Sequence, residues 1–433
     1  MKIAIIGAGI SGLTAAYKLS PLHEITLFEA NDYLGGHTNT VDVEFSGQRH
    51  AIDTGFIVFN DWTYPNFIEL LDELGVRSRP TSMSFSVRSE PDDLEYNGSS
   101  LNGLFAQRRN LLRPGFYRMM ADIVRFNREA PQQVLGTQTG DHTTVGEYLS
   151  RYRYSAEFTN HYLLPMGSAI WSCPLGTFEN FPIRFIVEFY RNHGLLSLRH
   201  RPTWRVIEGG SRSYVVKMVR SLAERVRIQT PIERVLRQKD SVLVQPTGQL
   251  AQRFDHCIFA CHSDQALRIL ADPTPAEQTI LSEFPYGSNS AILHTDQSVL
   301  PKRRRAWASW NYHLFSSSRD SKAQSASVTY CMNLLQNLRS QHVINVTLNS
   351  DERVDDSKVL RRFVYHHPIF TTRRNAAQAR HSELINANRT SYCGAYWGNG
   401  FHEDGVVSAL RVCSVLSKLH ENRPYSRPGE LVA

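Results

Sequence analysis

Three glycines near the start of the chain have the G-x-G-x-x-G spacing of a loop that binds dinucleotide phosphates: Gly7, Gly9 and Gly12. Gly7 permits a tight turn, Gly9 lets backbone N–H groups approach a pyrophosphate, and Gly12 allows a helix to pack closely on a strand. Glu29, seventeen residues beyond Gly12, is suited to accept hydrogen bonds from an adenosine ribose. No arginine follows Glu29 to meet a 2′-phosphate, because Ala30 comes next, so the pattern disfavours NADP.

The elements that must position this loop are those of a βαβ unit. An apolar run at residues 3–6 predicts a strand, an apolar helical pattern extends to Leu19, and residues 25–29 predict a second strand. A glycine triplet alone is a weak signal, whereas the order strand, turn, helix, strand and acid is specific. We therefore expect a pyrophosphate at the N-terminus of the first helix, where N–H groups and the helix dipole favour an anion.

The residues after this unit depart from a simple NAD-binding domain, which would continue with alternating helices and strands. A second glycine pair, Gly35-Gly36, would place flexible backbone beside the same cofactor. Hairpin-like strands follow at residues 40–45 and 51–59, with a turn at Ser46-Gly47. This order favours FAD over NAD.

Length and composition limit the possible class of protein, its localisation and its partners. A chain of 433 residues with 41% hydrophobic residues is long enough for two soluble domains. It contains no apolar run of about 18 residues, and glycines interrupt its apolar N-terminus, so we expect a cytoplasmic protein without a transmembrane helix or signal peptide. The net charge of +7 leaves nucleic acid, an anionic membrane or an acidic substrate open. No recognisable stacking motif or basic tail indicates nucleic acid, so we expect none as a partner.

Metal and disulfide chemistry are not indicated. The six cysteines lack C-x-x-C spacing, which suits reduced thiols. His402-Glu403 is not followed by a second histidine, because position 406 is valine, so the zinc-protease motif is absent. We expect no metal site.

Two stretches, residues 101–130 and 181–202, interleave arginines with leucine, isoleucine and aromatic residues. The pattern is typical of amphipathic helices with a solvated basic face and a core face. It also fits contact with a membrane surface, where arginines meet phosphates and apolar side chains enter the interface. The second interpretation predicts a protein that is peripheral on the inner membrane face.

Taken together, the chain resembles the FAD-dependent amine oxidase and phytoene desaturase superfamily. The matching segments are GAGISG with Glu29, Gly35-Gly36, Asp53-Thr54-Gly55, Thr230-Pro231-Ile232, and the glycine turn into Glu403-Asp404-Gly405-Val406. More narrowly, HPIFT at 367–371 and YCGAYWGNGFHEDG at 392–405 resemble a bacterial branch of predicted FAD-binding oxidoreductases. That branch is often found with cyclopropane-fatty-acid-synthase-like methyltransferases, so a methyltransferase is an expected partner.

The resemblance implies an α/β fold with a Rossmann-like FAD-binding domain of the amine oxidase type and a discontinuous mixed α+β substrate domain. We assign residues 1–75, 203–270 and 385–433 to the FAD-binding domain. Residues 76–202 and 271–384 would form the substrate domain.

The resemblance also implies roles for individual residues. The cofactor-binding positions would be Gly7, Ala8, Gly9, Ile10, Ser11, Gly12, Glu29, Ala30, Gly35, Gly36, His37, Thr38, Gly55, Phe56, Ile232, Gly394, Glu403, Asp404, Gly405 and Val406. Gly405 and Val406, at a helix N-terminus, would face the flavin N1/O2 edge, where negative charge develops on reduction. His37 stands where the family usually has an arginine, and we find no lysine of the kind that many amine oxidases present to the flavin. His402 is the candidate for catalytic proton transfer, with a structural helix-start histidine as the alternative.

These features favour an FAD-dependent oxidoreductase of the dehydrogenase or desaturase type. It would transfer hydride between flavin N5 and an apolar substrate such as a fatty-acyl or lipid chain. One alternative is an amine or amino-acid oxidase that uses dioxygen. Another is a flavin-binding partner without turnover in a lipid-modifying complex.

Overall fold

A computed structural model of the chain describes residues 1–136, 143–171, 175–197, 200–315, 326–371 and 373–421. The strands are β1 (Lys2–Ile6), β2 (Glu24–Phe28), β3 (Thr40–Phe45), β4 (Gln48–Asp53), β5 (Phe59–Asn60), β6 (Ser78–Pro80), β7 (Phe85–Ser89), β8 (Leu94–Asn97), β9 (Trp204–Ile207), β10 (Val226–Arg227), β11 (Ile232–Arg237), β12 (Val242–Pro246), β13 (Gln252–Phe254), β14 (His256–Phe259), β15 (Tyr286–His294), β16 (Trp310–Leu314), β17 (Ala326–Cys331), β18 (Asn345–Leu348), β19 (Val359–Pro368) and β20 (Thr390–Tyr392). The α-helices are α1 (Ile10–Leu19), α2 (Pro65–Glu73), α3 (Leu101–Leu104), α4 (Pro114–Ala130), α5 (Val145–Arg151), α6 (Ala156–Phe158), α7 (Leu164–Trp171), α8 (Leu175–Glu179), α9 (Ile183–Asn192), α10 (Arg212–Val219), α11 (Ser263–Ile269), α12 (Pro275–Leu281), α13 (Met332–Leu335), α14 (Arg374–Ala379) and α15 (His402–Glu421).

The chain folds into two compact units. The first contains Met1–Gly36, Tyr214–Glu283 and the chain from Asn375 onward, and the second contains His37–Ser213 and Phe284–Arg374. The sequence-based division assigns residues 37–75 and 203–213 to the FAD-binding domain, whereas in the structure they belong to the second unit. The reason is packing, because Val41, Ile52 and Ile57 lie in that unit's hydrophobic core. The division also assigns residues 271–283 and 375–384 to the substrate domain, whereas they belong to the first unit. The functional names of the two domains stay a prediction.

The first unit is built on a five-stranded sheet in the order β10-β2-β1-β14-β20. All four neighbouring pairs are parallel, and β1 lies between β2 and β14. The apolar residues of β1 are buried, as a strand covered on both faces requires. The predicted strand, glycine turn, helix and second strand are therefore confirmed as a βαβ unit.

A buried ion pair fixes the last strand of this sheet. Arg237 of β11 donates from Nη1 to Glu277 Oε1 at 2.8 Å, and Tyr392 of β20 donates its hydroxyl to the same oxygen at 2.7 Å. Glu277 is 1% exposed, so removing either partner would leave a buried charge with fewer hydrogen bonds. This network holds β20 just before the glycine turn that leads into α15.

The second unit contains a seven-stranded sheet in the order β19-β15-β18-β17-β16-β7-β8. Its neighbours are antiparallel except for β16 and β7, which are parallel. The predicted hairpin at residues 40–59 is confirmed for β3 and β4, which pair across a turn at Ser46 (φ 51°) and Gly47 (φ 77°). The remainder of that stretch leaves the hairpin, and β5 pairs with β9.

Helix α9 of the second unit packs against Trp171 of α7. Its ring centroid lies 5.3 Å from that of Phe185, 4.8 Å from that of Phe189 and 6.0 Å from that of Phe370. The apolar side chains of α9 are thus core residues, and the membrane interpretation of residues 181–202 is wrong for this helix. Residues 198–199 of that stretch lie outside the described residues. Within the described ranges, no helix has the length and apolar character to cross a bilayer.

Candidate functional site

Two glycines of the first loop are required by the protein's own packing. Gly7 has φ +102°, and a Cβ on it would lie 2.9 Å from the carbonyl oxygen of Ala260. A Cβ on Gly12 would overlap the carbonyl oxygen of Gly7. The roles predicted for these residues, a tight turn and close helix packing, agree with this geometry.

Gly9 differs from both. Its φ of −73° is open to any residue, and a Cβ placed on it would meet no atom within 4 Å. It is also the N-cap of α1, where no side chain accepts a hydrogen bond and no acid lies in the first turn. The protein itself therefore does not require glycine here, whereas a ligand approaching the N-terminus of α1 would.

Glu29 supports the same loop. Its Oε2 accepts a hydrogen bond from the N–H of Ala8 at 2.8 Å. Its Oε1 accepts two from Asn31, one from the backbone N–H at 2.9 Å and one from Nδ2 at 3.0 Å. A carboxylate oxygen has two lone pairs, so Oε2 keeps capacity for a ribose hydroxyl. Ala30, which follows, is exposed.

The second glycine pair lies beside the first loop, and its predicted place beside the cofactor stays a prediction. Gly35 donates its N–H to the carbonyl oxygen of Ala8 at 2.8 Å. Gly36 has φ +59°, and a Cβ on it would lie 3.2 Å from Gly9 Cα. Glycine at position 36 thus serves both the backbone conformation and the close approach of the two segments.

The start of α15 adjoins the start of α1. A Cβ on Gly405 would lie 2.7 Å from Ile10 Cγ2 and 2.9 Å from Ser11 Oγ. Val406, the next residue, is 1% exposed. The structure therefore brings together three of the predicted segments: the Gly9 loop, the Gly35-Gly36 pair and the N-terminus of α15.

Other predicted positions near α15 have structural contacts of their own. Asp404 Oδ2 accepts the N–H of Phe401 at 2.8 Å, which satisfies a donor at the helix start. Gly394 donates its N–H to Ser408 Oγ at 2.9 Å, and a Cβ on Gly394 would overlap the Tyr396 ring. Glu403 is half-buried in the first turn of α15.

His402 is the first residue of α15 and is buried. Its Nε2 lies 3.1 Å from the hydroxyl oxygen of Tyr214, a residue that is 0% exposed. The contact fixes the orientation of the ring, and the proton-handling role stays a prediction. Ile232, predicted near adenine, begins β11 opposite Pro246 and is half-buried; its role is also still a prediction.

Four predicted cofactor residues belong to the second unit. The His37 ring packs between those of Tyr365 and His367, with centroid distances of 5.2 and 5.1 Å. Burial, with a smaller repulsion from His366, lowers the pKa of His37 to about 4, so the ring is neutral at neutral pH. It cannot supply the charge of the arginine that the family pattern has there. Its Nε2 is buried and finds no hydrogen-bond partner among the described residues.

The segment after His37 folds back on it. Phe56 donates its N–H to the His37 carbonyl oxygen at 2.7 Å, and a Cβ on Gly55 would overlap that oxygen. Thr38 is 1% exposed, and the Phe56 ring packs edge-on against Phe67 at 5.4 Å. Packing alone accounts for Gly55, and its predicted place near the isoalloxazine ring is not tested by these contacts.

The sequence did not indicate how central Asp53 is to the second unit. Its Oδ1 accepts hydrogen bonds from Thr40 Oγ1 (2.6 Å), Ser211 N (2.9 Å) and Ser211 Oγ (2.7 Å). Its Oδ2 accepts one from Gln336 Nε2 at 3.0 Å. Burial raises the pKa of Asp53 to about 6, against the opposing effect of the Thr40 and Ser211 bonds. The only signal in the sequence is an acid between an apolar strand and a Thr-Gly pair.

The family follows from a match that spans most of the chain. Residues 10–417 match the model of the flavin containing amine oxidoreductases. The chain belongs to this family. It is therefore an FAD-dependent oxidoreductase with an amine oxidase-type fold, as the sequence predicted.

Solved structures share this fold at low identity. Cyclohexylamine oxidase from Brevibacterium oxydans is 14% identical, with a TM-score of 0.68 over 97% of this chain and 99% of that one. A CLA-producing fatty acid isomerase from P. acnes is also 14% identical, with a TM-score of 0.65 over 96% of this chain and 98% of that one.

Curated relatives match over short segments only. A 4,4'-diapophytoene desaturase from Staphylococcus aureus is 55% identical over 40 residues, which is 9% of this chain and 8% of that protein. The chain spans 15% or less of the lengths of the first curated relatives that it matches.

The residues present fit the flavin cofactor of this family. In the first unit, the open side of Gly9 and the uncapped start of α1 suit a diphosphate, and Glu29 suits a ribose. In the second unit, the orphaned Nε2 of His37 is a polar atom available to a ligand. No group of three metal-ligating side chains occurs in the part of the chain that the structure describes.

Proposed function

We propose that this flavoenzyme is of the dehydrogenase type and moves a hydride between FAD and an apolar chain such as a fatty-acyl group. The observation that carries the proposal is the character of the turn before α15. Between Ser391 and Phe401 the sequence has no lysine, arginine, aspartate or glutamate. Tyr396 and Trp397 fill this turn and are 2% and 6% exposed.

The ring that Trp397 contacts is uncharged, and an acid, Asp404, lies at the end of the turn, where it accepts the N–H of Phe401 at 2.8 Å. Trp397 stacks on His381 with ring centroids 4.0 Å apart and an interplanar angle of 16°. Burial lowers the pKa of His381 to about 4, so this imidazole is neutral at neutral pH. Gln378 Nε2 donates to the carbonyl oxygens of Tyr396 (2.8 Å) and Gly398 (2.7 Å) and so holds the turn rigidly. Such a wall suits a hydrocarbon better than a charged amine or carboxylate.

In this proposal, different residues of the chain bind the cofactor and transfer the proton. The Gly9 loop and Glu29 would hold the diphosphate and ribose. The N–H of Gly405 is donated to the Phe401 carbonyl oxygen at 3.2 Å, so α15 would act on an electron-rich edge of the flavin through the positive end of its helix dipole. Bound FAD supplies the hydride chemistry. His402, oriented by the Tyr214 hydroxyl at 3.1 Å, is the proposed site of proton transfer.

Two relatives support an apolar substrate. The CLA-producing fatty acid isomerase has the same fold, and a diapophytoene desaturase shares a short segment at high identity. Both names refer to long hydrocarbon chains. Fold likeness alone does not fix a substrate, so the proposal depends on the uncharged turn.

An amine oxidase that uses dioxygen is the second candidate. The family description and the fold of cyclohexylamine oxidase favour it. The same turn carries no charged residue between Ser391 and Phe401, so it would accept an amine in its neutral form.

The test is the flavin absorbance of the purified holoenzyme under anaerobic conditions. The protein is titrated with fatty-acyl phospholipids, with free fatty acids and, separately, with simple amines. Bleaching of the flavin band by a lipid alone supports the proposal, whereas bleaching by amines alone refutes it and favours the oxidase. Bound flavin that no substrate bleaches would favour the partner without turnover, and copurification with a methyltransferase would then identify the complex.

A further inference from the structure

We propose that one face of the second unit docks on an anionic lipid surface. This basic-apolar face consists of α3, the 3₁₀ turn Arg108–Leu112, the first turn of α4 and the basic run at residues 302–305. The proposal concerns where the protein binds and not what it oxidises, so it goes beyond the proposed function.

Apolar side chains protrude from this face. Leu112 is 86% exposed, Leu101 76%, Leu111 47% and Tyr117 45%. The same segment places Phe116 in the core at 4% exposure, so the protruding residues are not the core side of the helix. Single exposed leucines are ordinary, but four large apolar side chains within one short segment form a patch that usually marks an interaction site.

Cations surround the apolar group. Arg108, Arg109 and Arg113 belong to the turn that carries Leu111 and Leu112. The 3₁₀ turn Arg304–Ala306, although about 200 residues away in sequence, packs against α3 and adds the run Lys-Arg-Arg-Arg at 302–305. The pattern along the chain did not reveal this contribution, because the two stretches meet only in the fold.

Part of this positive charge is uncompensated. Arg109 is paired with Asp93, and Arg303 with Glu95 at 3.0 Å. Lys302, Arg304 and Arg305 are exposed and form no ion pair with any of the described residues. A surface with three unpaired cations attracts anions over a Debye length of about 10 Å at moderate salt.

Leucine and arginine together favour a membrane over other anionic partners. Exposed aliphatic side chains gain free energy when they enter the boundary between head groups and acyl chains. A nucleic acid would engage the arginines but would leave the leucines in water. Each basic residue near an anionic leaflet strengthens binding roughly fivefold at low salt.

The experiment uses the full-length holoenzyme and sedimentation with vesicles of phosphatidylcholine, with or without phosphatidylglycerol. We expect binding to the anionic vesicles only, and weaker binding at high salt. Arg304→Gln/Arg305→Gln should lower the affinity about 25-fold, from roughly fivefold per residue. Leu111→Ser/Leu112→Ser should lower it about tenfold or more, because the leucines lose their burial.

Matched controls come from exposed residues of the first unit. Leu250, 89% exposed, provides Leu250→Ser, and the exposed Arg220 and Arg253 provide Arg220→Gln/Arg253→Gln. Both controls should bind vesicles like the wild type. Thermal unfolding should be unchanged in every variant, because all the substituted side chains are exposed.

Several results would overturn the proposal. One is equal binding by the leucine variant and the wild type, which would mean that no side chain enters the membrane. A second is that the control variants lose as much affinity for vesicles as the variants of the basic-apolar face. A third is that the protein binds a nucleic acid duplex but does not bind anionic vesicles. Vesicle binding needs no turnover, so it can succeed where the lipid titration of the flavin fails, and the two proposals fail independently.

Discussion

The three glycines of the first loop should respond differently to the same substitution. Gly9→Ala adds a Cβ that meets no protein atom within 4 Å at a φ of −73°. Alanine is slightly worse than glycine at an N-cap but loses less chain entropy on folding. These effects oppose each other, so the free energy of unfolding of the apoprotein should stay within about 0.5 kcal/mol of the wild type.

Gly12→Ala should behave in the opposite way. Its Cβ would overlap the Gly7 carbonyl oxygen, and Ala260 Cβ lies only 3.1 Å away. Relief requires movement of the backbone of the glycine turn or of α1, and such overpacking costs about 1–3 kcal/mol or more. Gly12→Ala is therefore expected to lower stability even without cofactor.

Gly9→Ala should also weaken the binding of FAD. A methyl group on Gly9 stands where the diphosphate would approach the uncapped N–H groups of α1. Loss of one hydrogen bond to a charged oxygen costs about 1.5–3 kcal/mol, which is roughly a 10- to 150-fold rise in Kd.

The assay combines denaturant unfolding of the apoproteins with FAD titration followed by flavin fluorescence. If Gly9→Ala binds FAD as tightly as the wild type, Gly9 does not lie where the diphosphate approaches α1. If Gly9→Ala destabilises the apoprotein as much as Gly12→Ala does, the protein's own packing requires glycine at position 9.

Three further predictions concern the polar groups. Asp53→Ala leaves four donated hydrogen bonds without an acceptor, so urea unfolding should show a loss of about 3–5 kcal/mol; a loss below 1 kcal/mol would contradict the network. Tyr214→Phe removes the hydroxyl beside His402 Nε2, so the pH profile of turnover should shift while FAD affinity stays the same; an unchanged profile would argue against proton transfer at His402. Thermal melts should show that stability falls as the pH drops from about 6.5 to 4. In this range the histidines are protonated in the unfolded chain, whereas the buried ones stay neutral in the folded protein. Burial lowers the pKa of His256 to about 3 and that of five other buried histidines to about 4: His37, His193, His294, His313 and His381. Asp53, with its pKa raised to about 6, has the opposite sign over this range, but one group is outweighed by six. Flat stability between these pH values would refute the assignment.

The βαβ unit could be predicted because its signals are local. Strand, glycine spacing and acid lie within the first 29 residues, and each one is set by backbone geometry that the residue type constrains directly. The start of α15 was predictable for the same reason, from a glycine turn followed by the acids Glu403 and Asp404. The segments that hold these elements together could not be predicted, because their contacts join residues that are far apart in the sequence.

The domain boundary shows where local reasoning ends. Residues 37–75 follow the glycine pairs directly, which suggested that they continue the cofactor domain. Val41 and Ile52 instead pack into the core of the second unit, and Asp53 is bonded to Ser211 and Gln336. These partners lie 158 and 283 residues away in sequence, so no pattern within one window could identify them.

Amphipathic segments show a second limit. Residues 101–130 and 181–202 have similar compositions, yet Phe185 and Phe189 of α9 are buried whereas Leu111 and Leu112 protrude. Composition indicates an apolar side and a basic side but not what covers the apolar side. Trp171 and Phe370, neither adjacent in sequence, are what cover α9.

Two helix N-termini meet in the first unit, and this explains the distribution of acids around them. Gly405 of α15 lies against Ile10 and Ser11 of α1, so two positive helix ends of about half a charge each are adjacent. Without an anion they repel each other. Glu403 and Asp404 supply negative charge at the start of α15, whereas α1 has no acid in its first turn and no side-chain cap. The backbone N–H donors of α1 are therefore the ones left for a bound diphosphate. For this reason a substitution at Gly9 should lower the affinity for FAD, whereas substitutions of the residues next to Gly405 should not.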